Sequence, residues 1–232
     1  MIILSCSLIG KAQGFAQFNA QGALTEARIK DNGNNKTSVV EQIVGADADL
    51  SKLEFKYKLY SACALDQPLT ADFTQPQNVK VTKQGGGSKD WIINVRQLKP
   101  ANLPFDLTFS NTNPSIYHSD VMGWATYGTD ETKPNVVRFG DKNVAFYVAF
   151  NGQAKEVSYK LSTLGDAFMG KFLVEESADG QQWTTIAEYN EKEIFGKDSE
   201  FTNKLLENTR FIRWIYAERK KMNINLNDIS VR

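Results

Sequence analysis

The stretch from Lys171 to Tyr189, KFLVEESADGQQWTTIAEY, limits the possible folds more than any other part of this chain. Phe172, Val174 and Glu176 alternate with Leu173 and Glu175, and Trp183, Thr185 and Ala187 alternate with Thr184 and Ile186. Between the two runs, Ser177-Ala178-Asp179-Gly180 supplies turn chemistry: glycine takes positive φ without steric cost, and an aspartate side chain bonds nearby backbone. Period two on both sides of a turn predicts a β-hairpin, with Phe172, Val174 and Trp183 filling a core and Asp179-Gly180 turning the chain.

The same period recurs along the sequence. Leu53, Phe55, Tyr57 and Leu59 share one face of a half-buried strand. Val144 to Phe150 is an almost unbroken apolar run, which suits a central strand covered on both faces. Asp31-Asn32-Gly33-Asn34-Asn35 is a turn between Ala23–Lys30 and Lys36–Val44. Gly85-Gly86-Gly87-Ser88 joins two further strands; no Lys-Ser/Thr follows and no helix comes next, so it is not a phosphate loop. Helical periodicity is missing throughout. The expected fold class is all-β, with two β-sandwich domains. Pro100 and Pro104 lie in a stretch with few apolar residues, which places a linker near residue 101 and domains at 14–100 and 101–232.

Lysines and arginines number 27 and acids 27, for a net charge of +0. This balance argues against a nucleic acid or an anionic membrane recognised through bulk charge. Ile2 to Ile9 is apolar but far shorter than the about 20 residues of a transmembrane helix. Residues 1–13 read as a signal peptide that lacks the usual basic start, as a truncated one would, and so predict export to the cell envelope or beyond. A buried first strand, or a lipoprotein anchored through Cys6, are the competing readings. After cleavage Cys63 would be the lone cysteine, unable to close an internal disulfide and suited to a small buried position.

Two resemblances extend this reading. Ala48-Asp49-Leu50-Ser51-Lys52-Leu53, Asp72-Phe73-Thr74-Gln75-Pro76 and Trp91-Ile92-Ile93-Asn94-Val95 resemble the motifs of small immunoglobulin-like domains in surface proteins of gut-type Gram-negative bacteria, over about Val39 to Leu98. The run from Phe172 to Trp183, together with Thr209-Arg210-Phe211-Ile212-Arg213-Trp214, resembles discoidin or galactose-binding-like jelly rolls. Leu226-Asn227-Asp228-Ile229-Ser230-Val231 is similar to the closing strand of bacterial sandwiches of the choice-of-anchor kind. The resemblances imply an immunoglobulin-like domain followed by a jelly roll. They also imply a non-catalytic role in binding or adhesion at the cell envelope, with carbohydrate as the first-choice ligand. The alternative is a spacer or accessory domain without a small-molecule ligand.

Sugar recognition needs aromatic platforms beside polar groups. The richest loop, Tyr117 to Gly128, offers Tyr117, Trp124 and Tyr127 as platforms, with His118, Asp120 and Arg138 as polar partners. Phe168, before the hairpin, is a further ring. The competing reading puts Trp124, Tyr127 and Phe168 in the core. Calcium would draw on Asp120, Asp130, Asp166, Asp179 and Asp228, but these show no dense ligand spacing, so no cofactor is expected. One histidine and one mature cysteine argue against zinc. Glu175 and Glu176 are neighbours on a strand, face opposite sides and cannot share a catalytic site. Arg213 is expected to pair with a carboxylate, with Glu176 as the first choice.

Overall fold

The computed structural model describes residues 13–33, 36–109, 123–129, 136–163, 168–190, 193 and 198–232. Residues 1–12 of the expected signal peptide, Cys6 among them, and the positions Tyr117, His118, Asp120, Asp130 and Asp166 lie outside the described residues.

The fold is all-β. Among the described residues seven strands build an N-terminal sandwich: β1 (Phe15–Ala20), β2 (Arg28–Lys30), β3 (Ser38–Val44), β4 (Phe55–Leu59), β5 (Cys63–Leu65), β6 (Gln77–Lys83) and β7 (Ser88–Gln97). β1 pairs antiparallel with β4, and the facing sheet has the order β2-β3-β7-β6-β5. Within that sheet β3 and β7 run parallel and the other pairs antiparallel. Alternation sends Val40, Val79, Val81, Trp91, Ile93 and Val95 inward, where they meet Phe15 and Phe18. Asp72-Phe73-Thr74 is not a strand start: the Asp72 carboxylate accepts the Thr74 amide at 2.9 Å, and Phe73 plugs the core between β1 and β4.

Among the described residues eleven strands follow: β8 (Ala101–Asn102), β9 (Phe105–Leu107), β10 (Trp124–Tyr127), β11 (Val137–Phe139), β12 (Ala145–Asn151), β13 (Glu156–Thr163), β14 (Met169–Ser177), β15 (Thr184–Tyr189), β16 (Ser199–Lys204), β17 (Phe211–Lys221) and β18 (Ile224–Val231). One sheet has the order β10-β12-β17-β14-β15, with β8 also on β12; the other runs β11-β18-β13-β16, with β9 also on β18. Phe146, Val148, Phe172, Val174, Ile212 and Trp214 from the first sheet meet Tyr159, Leu161, Leu226 and Ile229 from the second. Each such fully buried side chain contributes about 1.5–3 kcal/mol. On β18, Asp228 and Ile229 both oppose Tyr159 of β13. This bulge, with Asp228 at φ 48°, keeps Ile229 and Val231 pointing inward. The proline-bearing stretch after Leu98 is no open linker, because β8 is hydrogen-bonded in parallel to Phe150 and Asn151.

The two sandwiches touch. Alternate residues of β12 serve two cores: Phe146, Val148 and Phe150 face inward, while Ala145, Tyr147 and Ala149 face Ile43 and Leu98 of the N-terminal sandwich. The continuous apolar run of β12 thus has a cover on each face. Polar ties frame the contact: Tyr127 Oη donates to the Glu26 carbonyl at 2.9 Å, Lys30 pairs with Asp141 at 3.0 Å, and Arg28 lies 2.8 Å from Glu41 and 3.6 Å from Asp141. Gly128, at φ 72°, passes so close to Arg28 that a Cβ would sit 2.5 Å from its Nε. The hairpin turn also docks here, with Gln181 Nε2 donating to the Ala23 carbonyl at 3.3 Å.

Burial pushes the phenols of Tyr127, Tyr147, Tyr159, Tyr189 and Tyr216 upward, Tyr216 to about 12. The folded state holds these groups neutral, whereas an unfolded tyrosine ionises near about pH 10. The stability they contribute is complete below that pH and is lost as pH rises towards the folded values. Absorbance at 295 nm and circular dichroism, followed from pH 9 to 13, are expected to show these phenols ionising above the ordinary tyrosine range or together with unfolding. Ionisation of all tyrosines near pH 10 with the fold intact would contradict this packing.

Candidate functional site

The outer face of the first C-terminal sheet carries a polar row. Tyr147 on β12, Arg213 on β17, Glu175 on β14 and Thr185 on β15 are consecutive register partners across four strands. Arg213 Nε donates to Glu175 Oε2 at 2.6 Å, and Thr185 Oγ1 donates to Glu175 Oε1 at 3.4 Å. The ion pair is mostly sheltered, with side-chain exposures of 21% for Arg213 and 11% for Glu175. Burial raises the Tyr147 phenol, partly offset by the neighbouring Arg213 guanidinium. Trp183 lies across this row: Arg213 Cζ sits 4.2 Å from its ring centroid, and Tyr147 meets it edge-on at 5.8 Å. The indole is half-buried, at the margin of the contact between the sandwiches.

Trp183 was expected in the core and is not there. The reason is a bulge. Val174 pairs with Ala187 but Glu175 pairs with Thr185, so Ile186 is the extra residue. Beyond it the faces exchange: Tyr189 and Ala187 point inward, while Thr185 and Trp183 point out. The expected partner of Arg213 also changes. Register places Glu175, not Glu176, opposite it, and Glu176 turns to the other face to accept from the Leu206 amide at 2.9 Å and from the Thr209 hydroxyl. The two glutamates do point apart.

The residues named from the sequence come to rest elsewhere. Trp124 is 8% exposed, stacked on Phe146 and edge-on to Phe109. Phe168 is fully buried against Tyr216. Neither ring offers a platform, because each fills the inside of the sandwich. Tyr127 lies between the sandwiches with its hydroxyl bonded to Glu26. Arg138, on β11, donates to Asn225 Oδ1 at 3.2 Å on the outer face of the opposite sheet. Of the acids considered for calcium, Asp179 caps its own turn by accepting the Gln181 and Gln182 amides at 2.7 and 2.8 Å, and Asp228 pairs with Lys160 at 2.8 Å. Among the described residues no group of three or more acidic, histidine or cysteine side chains gathers, and no helix is long and apolar enough to cross a membrane. The sequence did hold a signal for the polar row: an arginine inside the aromatic strand FIRWIY, facing a hairpin that carries both glutamates and a tryptophan.

No family model matches the chain, and no match was found among curated proteins. Among solved structures, the chain is similar to a Bacteroides thetaiotaomicron protein provisionally named a glycoside hydrolase. The TM-score is 0.55 at 11% identity, over 97% of this chain and 98% of that one. It is also similar to the K1 cleaved adhesin domain of Lys-gingipain from Porphyromonas gingivalis, with a TM-score of 0.41 and 13% identity over 55% of this chain and 96% of that one. A family 29 carbohydrate binding module from Piromyces equi gives a TM-score of 0.39 and 10% identity over 56% of this chain and 91% of that one. The first likeness shows a fold shared over nearly the whole chain. The other two, lower in score and limited to about half of it, establish nothing further.

Proposed function

We propose that the chain is a non-catalytic binding module that engages carbohydrate on the outer face of the first C-terminal sheet, at Trp183, Arg213, Glu175 and Thr185. The observation that carries this reading is the half-buried indole lying over a hydrogen-bonded polar row. A sugar ring presents apolar C–H faces to an aromatic and hydroxyls to fixed donors and acceptors, and this strip holds both side by side. The name of the Bacteroides protein brings carbohydrate to this chain as a ligand class. The non-catalytic part is supported by Glu175 and Glu176 facing opposite ways, since glycoside hydrolysis needs two carboxylates on either side of one bond. We extend the proposal to an immunoglobulin-like N-terminal unit over 14–100, a jelly roll over 101–232 and export to the cell envelope. A glycan-array screen of the intact chain tests it. Binding to a defined glycan that Trp183→Ala loses is the expected result, and no binding across the array would refute it.

A second reading, a spacer without a small-molecule ligand, is favoured by one observation: Trp124 is in the core and Tyr127 is used between the sandwiches, so the described part of the Tyr117–Gly128 stretch offers no open ring.

A further inference from the structure

One side of the N-terminal sandwich is open. Its smaller sheet is β1 with β4, and the facing sheet ends at β5. Strand β1 turns its far edge to the facing sheet, where the Ala20 amide donates to Gln42 Oε1 at 2.8 Å. Among the described residues no strand covers the far edge of β4. The middle residues of that strand, Lys56, Tyr57 and Lys58, are all exposed.

The register fixes which backbone groups face this edge. Lys56 and Lys58 stand opposite Asn19 and Gln17 of β1. On the same side the Gln21 amide donates to the Glu54 carbonyl at 2.8 Å, and the Tyr60 amide donates to the Gly14 carbonyl at 3.0 Å. Backbone groups alternate sides along a strand, so the N–H and C=O groups of Phe55, Tyr57 and Leu59 point to the open edge. At the head of the strand that edge is in use, since the Leu53 amide donates to the Ala71 carbonyl at 2.9 Å. From Phe55 to Leu59 it has no backbone partner among the described residues.

The side chains alternate as well. Phe55 and Leu59 are half-buried against the core of the sandwich, as are Cys63 and Leu65 on β5. Tyr57 shares their face and packs on Phe15 and Phe55 at 5.8 and 6.2 Å, yet it is 41% exposed. Lys56 and Lys58 point to the opposite face, and among the described residues neither has an ion-pair partner. An unpaired edge with an uncovered apolar face is a template for one more strand. A second copy of β4 would bring two lysines against two lysines with only Glu54 to offset them, which disfavours self-pairing. A strand that alternates apolar and acidic residues satisfies both faces.

We propose that the open edge of β4 takes up an extended acidic segment of a partner protein as a third strand, by β-augmentation. Its apolar residues lie beside Phe55, Tyr57 and Leu59, and its carboxylates beside Lys56 and Lys58. β-Branched residues suit the apolar positions, because they pair well with aromatic rings across a ladder. The surface belongs to the N-terminal sandwich and is independent of the strip at Trp183.

Fluorescence anisotropy with the intact chain tests this. The probe is fluorescein-labelled Val-Glu-Val-Glu-Val-Glu-Val. Its controls are Val-Lys-Val-Lys-Val-Lys-Val, which reverses the charge, and Val-Val-Val-Val-Glu-Glu-Glu, which keeps the composition and loses the alternation. The alternating acidic peptide is expected to bind at least about tenfold more tightly than either control. Tyr57→Pro removes an edge N–H that β1 does not use, at a kind of position where sheets admit proline, and is expected to abolish binding. Should that variant fail to fold, the double variant Lys56→Glu, Lys58→Glu changes only exposed side chains. It is expected to reverse the preference, losing the acidic peptide and binding the lysine one. Failure of the acidic peptide to bind, equal binding of all three peptides, or a preference that the charge reversal leaves unchanged would overturn the proposal. A wild-type dimer in analytical ultracentrifugation that Tyr57→Pro dissociates would assign the edge to a second copy and overturn it as well.

Discussion

Replacing Arg213 with methionine is expected to destabilise the protein by about 3 kcal/mol, read from urea or thermal unfolding. The loss comes less from the ion pair than from what is left behind. Glu175 is only 11% exposed in its side chain, and without Arg213 it keeps a single long hydrogen bond from Thr185. An unpaired buried carboxylate is among the costlier defects a sheet can carry. The double variant Arg213→Met, Glu175→Gln removes the charge that needed a partner, so it is expected to recover at least half of the loss. If the double variant is as unstable as the sum of the singles, Arg213 acts mainly by packing its stem on Trp183, and the ion pair is not the organising contact.

Trp214→Ala is expected to cost about 4 kcal/mol, within the range for emptying a large aromatic site. Trp214 is fully buried and joins the two C-terminal sheets: its ring lies 5.3 Å from Tyr159 of β13 and 6.2 Å from Phe146 of β12. Its Nε1 has no hydrogen-bond partner among the described residues. Phenylalanine at this site leaves a smaller void and removes that orphaned donor, so Trp214→Phe is expected to lose less than half as much. Similar losses for both variants would mean that the indole nitrogen is satisfied after all.

These two residues also mark what could be read from the sequence. The face of Trp214 was legible from the alternation of β17, and the double burial of β12 from its unbroken apolar run. The second cover of β12 was not legible, because it is another part of the chain folded against the sheet. Trp183 was placed on the wrong face because alternation is counted along one strand. A single bulged residue, Ile186, reverses every side chain beyond it, and only the pairing partner reveals the bulge. The partner of Arg213 was missed by one residue for the same reason: the opposing strand sets which of two adjacent glutamates stands across from it. For Trp124 and Phe168 the sequence left platform and core both open, because an aromatic beside glycines and polar residues has the same local sequence whether it caps a core or faces water. The hairpin itself was legible to its turn, with Gly180 at φ 73° and Asp179 holding two amides. Its docking against Ala23 was not, since no local pattern encodes a contact between residues so far apart in the chain.

The proposed carbohydrate-binding strip is Trp183 with the polar row beneath it. Affinity electrophoresis of the intact protein through gels containing a panel of soluble polysaccharides tests it most directly, with Trp183→Ala and Tyr57→Ala run alongside. Tyr57 is a suitable control because it is 41% exposed and lies on the N-terminal sandwich. At least one polysaccharide is expected to retard the wild type and Tyr57→Ala equally, and Trp183→Ala is expected to bind it at least about tenfold more weakly while still folded. Retardation of folded Trp183→Ala equal to that of the wild type, or no retardation of the wild type by any polysaccharide, would contradict it.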